Sequence, residues 1–279
     1  MWKKTAVLIV VALVGQTVQA QWVKHPTPGT PRTPDGRPIL TARTPRAPNG
    51  KPDLSGVWHV QPTPLAEMKR LFGDSVDVVQ VPGMEIDTVS KYGINILQDF
   101  KPEDAPLRPA GGEILKRRLA GAEQLPLTYC LPGGVPLSTL LSEVSKIVQT
   151  PGLMLIMLEL GGTRQIYTDG RKHVADPSPS WLGYSVGAWE GETLVVDTVG
   201  FNGRSWLDAI GHPQSEAAHL VERYRRRDFG HLDVEITIDD PTFYTKPFTI
   251  KVTHELQPDT DILEYFCSEN EKDIHRLRP

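Results

Sequence analysis

The sequence predicts an all-β fold closed into an antiparallel barrel, with an open β-sandwich as the alternative. Three observations predict it. Apolar and polar residues alternate at 231–239 (HLDVEITID), where Leu232, Val234, Ile236 and Ile238 share one face. Turn signals recur at short intervals between strand-like runs: Pro151-Gly152, Gly161-Gly162, Asp169-Gly170 and Glu190-Gly191. No long helical pattern separates the runs that follow Cys130. Short turns between consecutive strands favour an up-and-down meander.

Composition bounds the rest. The chain has 279 residues and 31.0 kDa, 39% hydrophobic and 23% charged, enough for one sizeable domain. A net charge of -4 and a pI of about 6.1 carry no basic excess, so nucleic acid is not expected as a partner. Lys3 and Lys4 precede the apolar stretch 5–15 (TAVLIVVALVG), and Val18-Gln19-Ala20 reads as a small-residue cleavage site. Residues 1–20 are therefore expected to be a signal peptide removed after Ala20, leaving an exported chain, periplasmic or secreted. That apolar stretch is too short for a permanent membrane anchor. In an exported chain, Cys130 and Cys267 are expected to form one disulfide.

Taken in order, residues 21–53 are proline-rich and poor in apolar side chains, so they read as an extended tail without internal repeats. The domain begins at residue 54. Residues 54–60 (LSGVWHV) read as the first strand. There Gly56-Val57-Trp58 resembles the opening of lipocalin-type barrels, and the resemblance implies a lipocalin-like closure. An insertion follows at about 61–129, with short helices expected at 64–72 and 113–119 and a loop at 102–109. The turn cluster 130–136 leads into strands at 146–150, 153–160, 164–169 and 193–199. The run 153–160 (LMLIMLEL) is apolar on both faces, as in a fully buried strand. A polar strand around Glu222 to Tyr224 and strands at 231–239, 247–256 and 261–269 complete the barrel.

The densest supply of chemistry lies at 181–229. Asp208, His212, His219 and Glu222 are the acid–base candidates, since a carboxylate holds an imidazole in one tautomer and lets it exchange a proton near neutral pH. Asp208–His212 and His219–Glu222 are the expected pairs, with Arg171 or Arg223 steadying an anionic oxygen. Trp181, Tyr184, Trp189, Asn202 and Trp206 offer aromatic and amide surface for a partly apolar, oxygen-rich ligand. The arginines at 225–227 read as a solvated strand edge. On the last two strands His254 and Glu264 are expected to face one interior cavity. No metal signature, phosphate-binding loop or nucleophile elbow is present, so no metal or cofactor is expected.

The stretches PDLSGVW, RQIYTDGRKH, DPSPSWLGYSVGAWEGETLVVDTVGFN, WLDAIGHP, RYRRRDFGHLDVEITIDDP and ENEKD resemble a widespread group of exported, β-rich bacterial proteins. The resemblance implies an exported β-domain and brings no activity with it. Gln214 stands where a second His after His212-Pro213 is expected, which removes a metal ligand from that position. The expected function is small-molecule binding, with lyase, isomerase or hydrolase chemistry by a His–carboxylate pair. The alternatives are a non-catalytic periplasmic carrier of a lipophilic ligand and a structural partner in the envelope.

Overall fold

A computed structural model describes residues 26–73, 80–81, 84–85, 89–141, 143–159, 161–264 and 266–267. The expected signal peptide and the closing ENEKD motif at 269–273 lie outside the described residues. The elements run β1 (Gly56–Val60), α1 (Leu65–Phe72), β2 (Gln80–Val81), β3 (Met84–Glu85), α2 (Lys91–Ile94), α3 (Pro109–Leu119) and β4 (Ser145–Thr150). They continue with β5 (Leu153–Leu158), β6 (Gly162–Tyr167), β7 (Tyr184–Glu190), β8 (Thr193–Val199), β9 (His219–Arg226), β10 (His231–Asp239) and β11 (Phe248–Leu256).

Nine strands close into a barrel in the order β1-β11-β10-β9-β8-β7-β6-β5-β4, with β4 returning to β1. Orientation is mixed rather than antiparallel throughout: β6 and β7 pair in parallel through Ile166↔Ser185 and Tyr167↔Val186. A parallel neighbour needs a crossover rather than a hairpin. Residues 168–183 supply it, and their prolines at 177 and 179 keep them out of the sheet. The final strand expected at 261–269 does not form among the described residues: 257–264 run without strand structure after β11.

Alternation decides the lumen. Leu194, Val196 and Thr198 from β8, Leu220, Glu222 and Tyr224 from β9, Val234, Ile236 and Ile238 from β10, and Ile250 and His254 from β11 are all buried. Their neighbours in sequence face outward, as the two-residue period of a strand requires. On β5 the burial alternates too, so the doubly apolar run is only half-buried on its outer face. The connections 61–144, 200–218 and 240–247 interlock over one mouth. Ala209 N donates to Gly93 O (2.8 Å), Arg108 N to Phe243 O (2.8 Å), and Tyr244 OH to Pro213 O (2.9 Å).

The tail closes the opposite mouth. Phe229 N donates to Ala42 O and Gly230 N to Leu40 O, both at 2.7 Å. Contrary to the sequence reading, the tail contains a repeat: PRTPDGRP (31–38) and PRAPNGKP (45–52) fold into matching turns. In each, the first arginine reaches back to the glycine carbonyl, Arg32 to Gly36 (2.9 Å) and Arg46 to Gly50 (3.4 Å). Beneath them Gly56 has φ 149°, and a Cβ there would sit 2.4 Å from Leu256 Cδ1. Trp58 is buried, donates from Nε1 to Leu54 O (2.9 Å), and lies under the Arg226 guanidinium at 4.8 Å. Arg226 also donates to the carbonyls of Asp53, Ser55 and Phe229. The arginine run is thus not an edge. Arg226 plugs the barrel while Arg225 faces out from a strand with neighbours on both sides.

A disulfide joins Cys130 to Cys267. Among the described residues no helix is long and apolar enough to cross a membrane.

Candidate functional site on the outer wall

The residues expected to act together are held in three separate places. Asp208 and His212 form the expected pair, Nδ1–H donating to Oδ2 at 2.5 Å. Both are buried, at 0% and 3% exposure. Asp208 is committed elsewhere as well: it accepts from Ile96 N (2.7 Å), Gly211 N (2.9 Å) and His212 N (3.0 Å). Four bonds make this carboxylate a clamp between the 200–218 connection and the insertion. Trp206 packs beside it against Leu137 and Leu141, with the Arg118 guanidinium 4.4 Å over its ring.

Glu222 does not meet His219. Three residues apart on one strand, they face opposite sides of the barrel wall. Glu222 points inward and takes Arg164 in a bidentate pair, with Nη1 donating to Oε1 at 3.0 Å and Nη2 to Oε2. Tyr224 OH donates to Oε1 (2.7 Å), and Arg164 also reaches Thr198 (2.8 Å) and Ser185 (3.2 Å). Burial works against the guanidinium charge, and Glu222 more than offsets it, so Arg164 stays above its ordinary pKa. Burial, with Glu222, pushes the Tyr224 hydroxyl well up.

His254 faces inward as expected, but Glu264 does not accompany it. Glu264 is exposed, because the segment that carries it is no strand of the barrel. His254 donates from Nε2 to Thr139 O (3.0 Å), and Nδ1 is buried with no partner among the described residues. Burial lowers its pKa to about 4. The space beside it, bounded by Ser145, Tyr224 and Thr139, is a void of about 10 Å³. That is room for one water, not for an organic ligand.

The third place is open to solvent. His219 projects outward from β9 and bonds through Nε2 to Asp197 Oδ1 at 2.9 Å. His173, on the crossover, bonds through its own Nε2 to the same oxygen at 2.7 Å. Asp197 and His219 remain 39% and 40% exposed, and His173 27%. Nδ1 of His173 is buried without a partner among the described residues. Tyr184 stands edge-on to His173 (6.0 Å between centroids) and against Tyr167 (5.5 Å). Arg171 stacks on Tyr167 at 3.8 Å, with Asp169 bound to its guanidinium at 2.6 to 3.0 Å. The crossover that makes β6 and β7 parallel thus brings His173 and Arg171 onto the wall beside Asp197, His219 and Tyr184.

Three expected residues meet here: His219, Arg171 and Tyr184. His173, Asp197 and Tyr167 were not expected. Asp197 lies within the apolar strand β8, TLVVDTV, where alternation alone places it outward on the same face as His219 of the next strand. The other expected ligand residues lie apart. Trp189 packs against the core, Trp181 carries Arg204 over its ring (5.1 Å), Asn202 accepts from Arg204 N (3.0 Å), and Arg223 pairs with Glu190 (2.6 Å). Among the described residues, no group of three or more His, Cys, Asp or Glu side chains is arranged to hold a metal ion.

Comparison with models of known protein families, with curated proteins and with solved structures finds no match to this chain.

Proposed function

We propose that the protein is an exported, single-domain acid–base enzyme whose reaction takes place on the outer wall of the barrel, at His173, Asp197 and His219. One observation carries this reading: a half-exposed carboxylate oxygen is shared by two imidazoles, one of which is 40% exposed. A carboxylate on one ring nitrogen fixes the tautomer and stabilises the imidazolium that forms when the other nitrogen takes a proton. His219 then removes a proton from the substrate, and Asp197 holds the resulting charge. His173 steadies Asp197 from the far side. Tyr184 and Tyr167 offer an aromatic wall, and Arg171 a cation for a developing oxyanion. The substrate class is a small, oxygen-rich molecule with a flat apolar part, and the reaction class is elimination, isomerisation or hydrolysis. The filled lumen favours placing this chemistry outside the barrel. The leader-like first 20 residues and the disulfide support export.

The test is untargeted mass spectrometry of small-molecule extracts incubated with the wild-type protein, Asp197→Asn and His219→Ala. Wild type should deplete at least one compound with matched product formation, and each variant should slow this by on the order of 10²-fold or more. Both side chains are solvent-exposed, so thermal midpoints should stay close to wild type. Extracts left unchanged by wild type relative to Asp197→Asn, with no ligand retained by either, would sink the proposal.

A further inference from the structure

The geometry points to a second, independent binding site: a groove on the outer wall that takes a polyhydroxylated carboxylate, a sugar acid, on Arg225. The groove has a volume of about 410 Å³ and crosses β8 to β11. That is within the usual size range of small-molecule sites.

Pairing along the wall leaves one cation over. The register sets Arg225 opposite Asp233, and Glu235 between Arg223 and Lys251. Asp233 is already taken by Arg227 Nη1 (3.0 and 3.3 Å) and by Thr253 Oγ1 (2.9 Å). Lys251 takes Glu235 at 2.7 Å, and Glu190 takes Arg223 at 2.6 Å. Among the described residues Arg225 makes no ion pair, and it projects from the wall into the groove. A guanidinium is a planar fork that matches a carboxylate with two parallel hydrogen bonds.

The remaining lining chooses the rest of the ligand. Thr193 and Thr253 bring hydroxyls, and Asp233 and Glu235 bring acceptors for ligand hydroxyls. Val252, only partly buried, offers a narrow strip for the C–H face of a ring. Among the described residues no aromatic side chain lines the groove, which disfavours a stacked phenolic ligand, and its exposure to solvent disfavours a lipid. A carboxylate at one end and several hydroxyls along the body meet every group present.

Amide NMR titrations with D-glucuronate, D-glucose, acetate and a short glucuronate oligomer test this. Glucuronate should shift amides at Thr193, Arg225 and Thr253, with glucose and acetate each weaker by about tenfold or more. Arg225→Ala should reduce glucuronate affinity to the level of glucose, and Arg225→Lys should restore part of it. Arg225 faces solvent, so unchanged thermal midpoints will certify the fold of both variants. His219→Ala should bind glucuronate like wild type, which separates this site from the acid–base cluster. Tighter binding of the oligomer identifies a polymer as the source, and equal binding identifies the free sugar acid; both sustain the groove. Acetate binding as well as glucuronate, unchanged affinity in Arg225→Ala, or no shifts in the groove overturns it.

Discussion

Arg164 and Glu222 are a fully enclosed ion pair in a barrel whose lumen is lined mainly by apolar side chains. Removing one partner leaves the other charged and buried, which typically costs about 3–5 kcal/mol, whereas replacing both with apolar side chains often costs little. Chemical denaturation should therefore show Arg164→Met and Glu222→Leu each far less stable than wild type, and the double variant more stable than either single one. A double variant weaker than both would mean that the bonds to Ser185, Thr198 and Tyr224 outweigh the pair. His254 makes a pH-dependent contribution. Its folded pKa of about 4 lies below the ordinary 6.5, so the unfolded chain binds the extra proton first. The stabilisation from a neutral His254 is complete above about pH 6.5 and is lost as pH falls toward 4, by about 3 kcal/mol in all. Glu143 and Glu159, raised by burial, titrate with the opposite sign. Urea midpoints measured between pH 7 and 4 should fall more steeply for wild type than for His254→Leu; parallel curves would refute the assignment. His254 was legible because alternation on β11 is strict. Arg164 was not, since a lone arginine in RQIYTD reads as solvent-facing until its inward partner three strands away is known.

At the scale of elements, the tail is part of the barrel rather than a spacer. The link between its two P-R-x-P-[D/N]-G-[R/K]-P turns presents the carbonyls of Leu40 and Ala42 to the β9–β10 turn, and the fit there depends on a missing side chain. A Cβ at Gly230 would lie 2.4 Å from Leu40 Cβ and 2.9 Å from its Cα. Backbone would have to move, so Gly230→Ala should lift the tail. Trypsin cleavage after the exposed Arg43 should rise several-fold, and stability should fall by about 1–3 kcal/mol. Unchanged cleavage would show that the tail yields without leaving. The strands β10 and β11 were readable because one face meets the core and the other meets water. The tail repeat is masked in the sequence by evenly spread prolines, while the shared turn depends on glycines at 36 and 50. The parallel β6–β7 pair escaped for a different reason. Its short overlap leaves no mark in the periodicity, and the proline-rich crossover resembles an ordinary loop. The acid–base cluster depends on that crossover, so the fold error and the missed His173–Asp197 contact have one cause.

At the scale of the whole molecule, the barrel is strapped by the segment that follows β11. After β11, Asp259 receives Thr27 N (3.0 Å) and pairs with Arg32 in the tail. Asp261 then pairs with Lys146 (2.7 Å), Leu263 N donates to Glu159 (3.0 Å), and Cys267 reaches Cys130. The last described residues thus strap the outer face of β4 and β5 from one mouth to the other. The disulfide closes a loop with a sequence separation of 137, which on the chain-entropy model stabilises the fold by about 5 kcal/mol. Part of this is local, since the strap has few buried apolar contacts of its own and should open before the barrel. Reduction, or Cys130→Ala with Cys267→Ala, should therefore act in two stages. Hydrogen exchange and proteolysis at 257–264 should accelerate first under native conditions, with β8 to β10 still protected. The global denaturation midpoint should then fall by an amount worth about 3–5 kcal/mol. Because Asp197 and His219 sit on the wall opposite the strap's attachment, the proposed acid–base reaction should persist in the reduced protein wherever the barrel is folded. Loss of turnover before loss of β8 and β9 protection would mean that the strap positions the site as well as stabilising the fold.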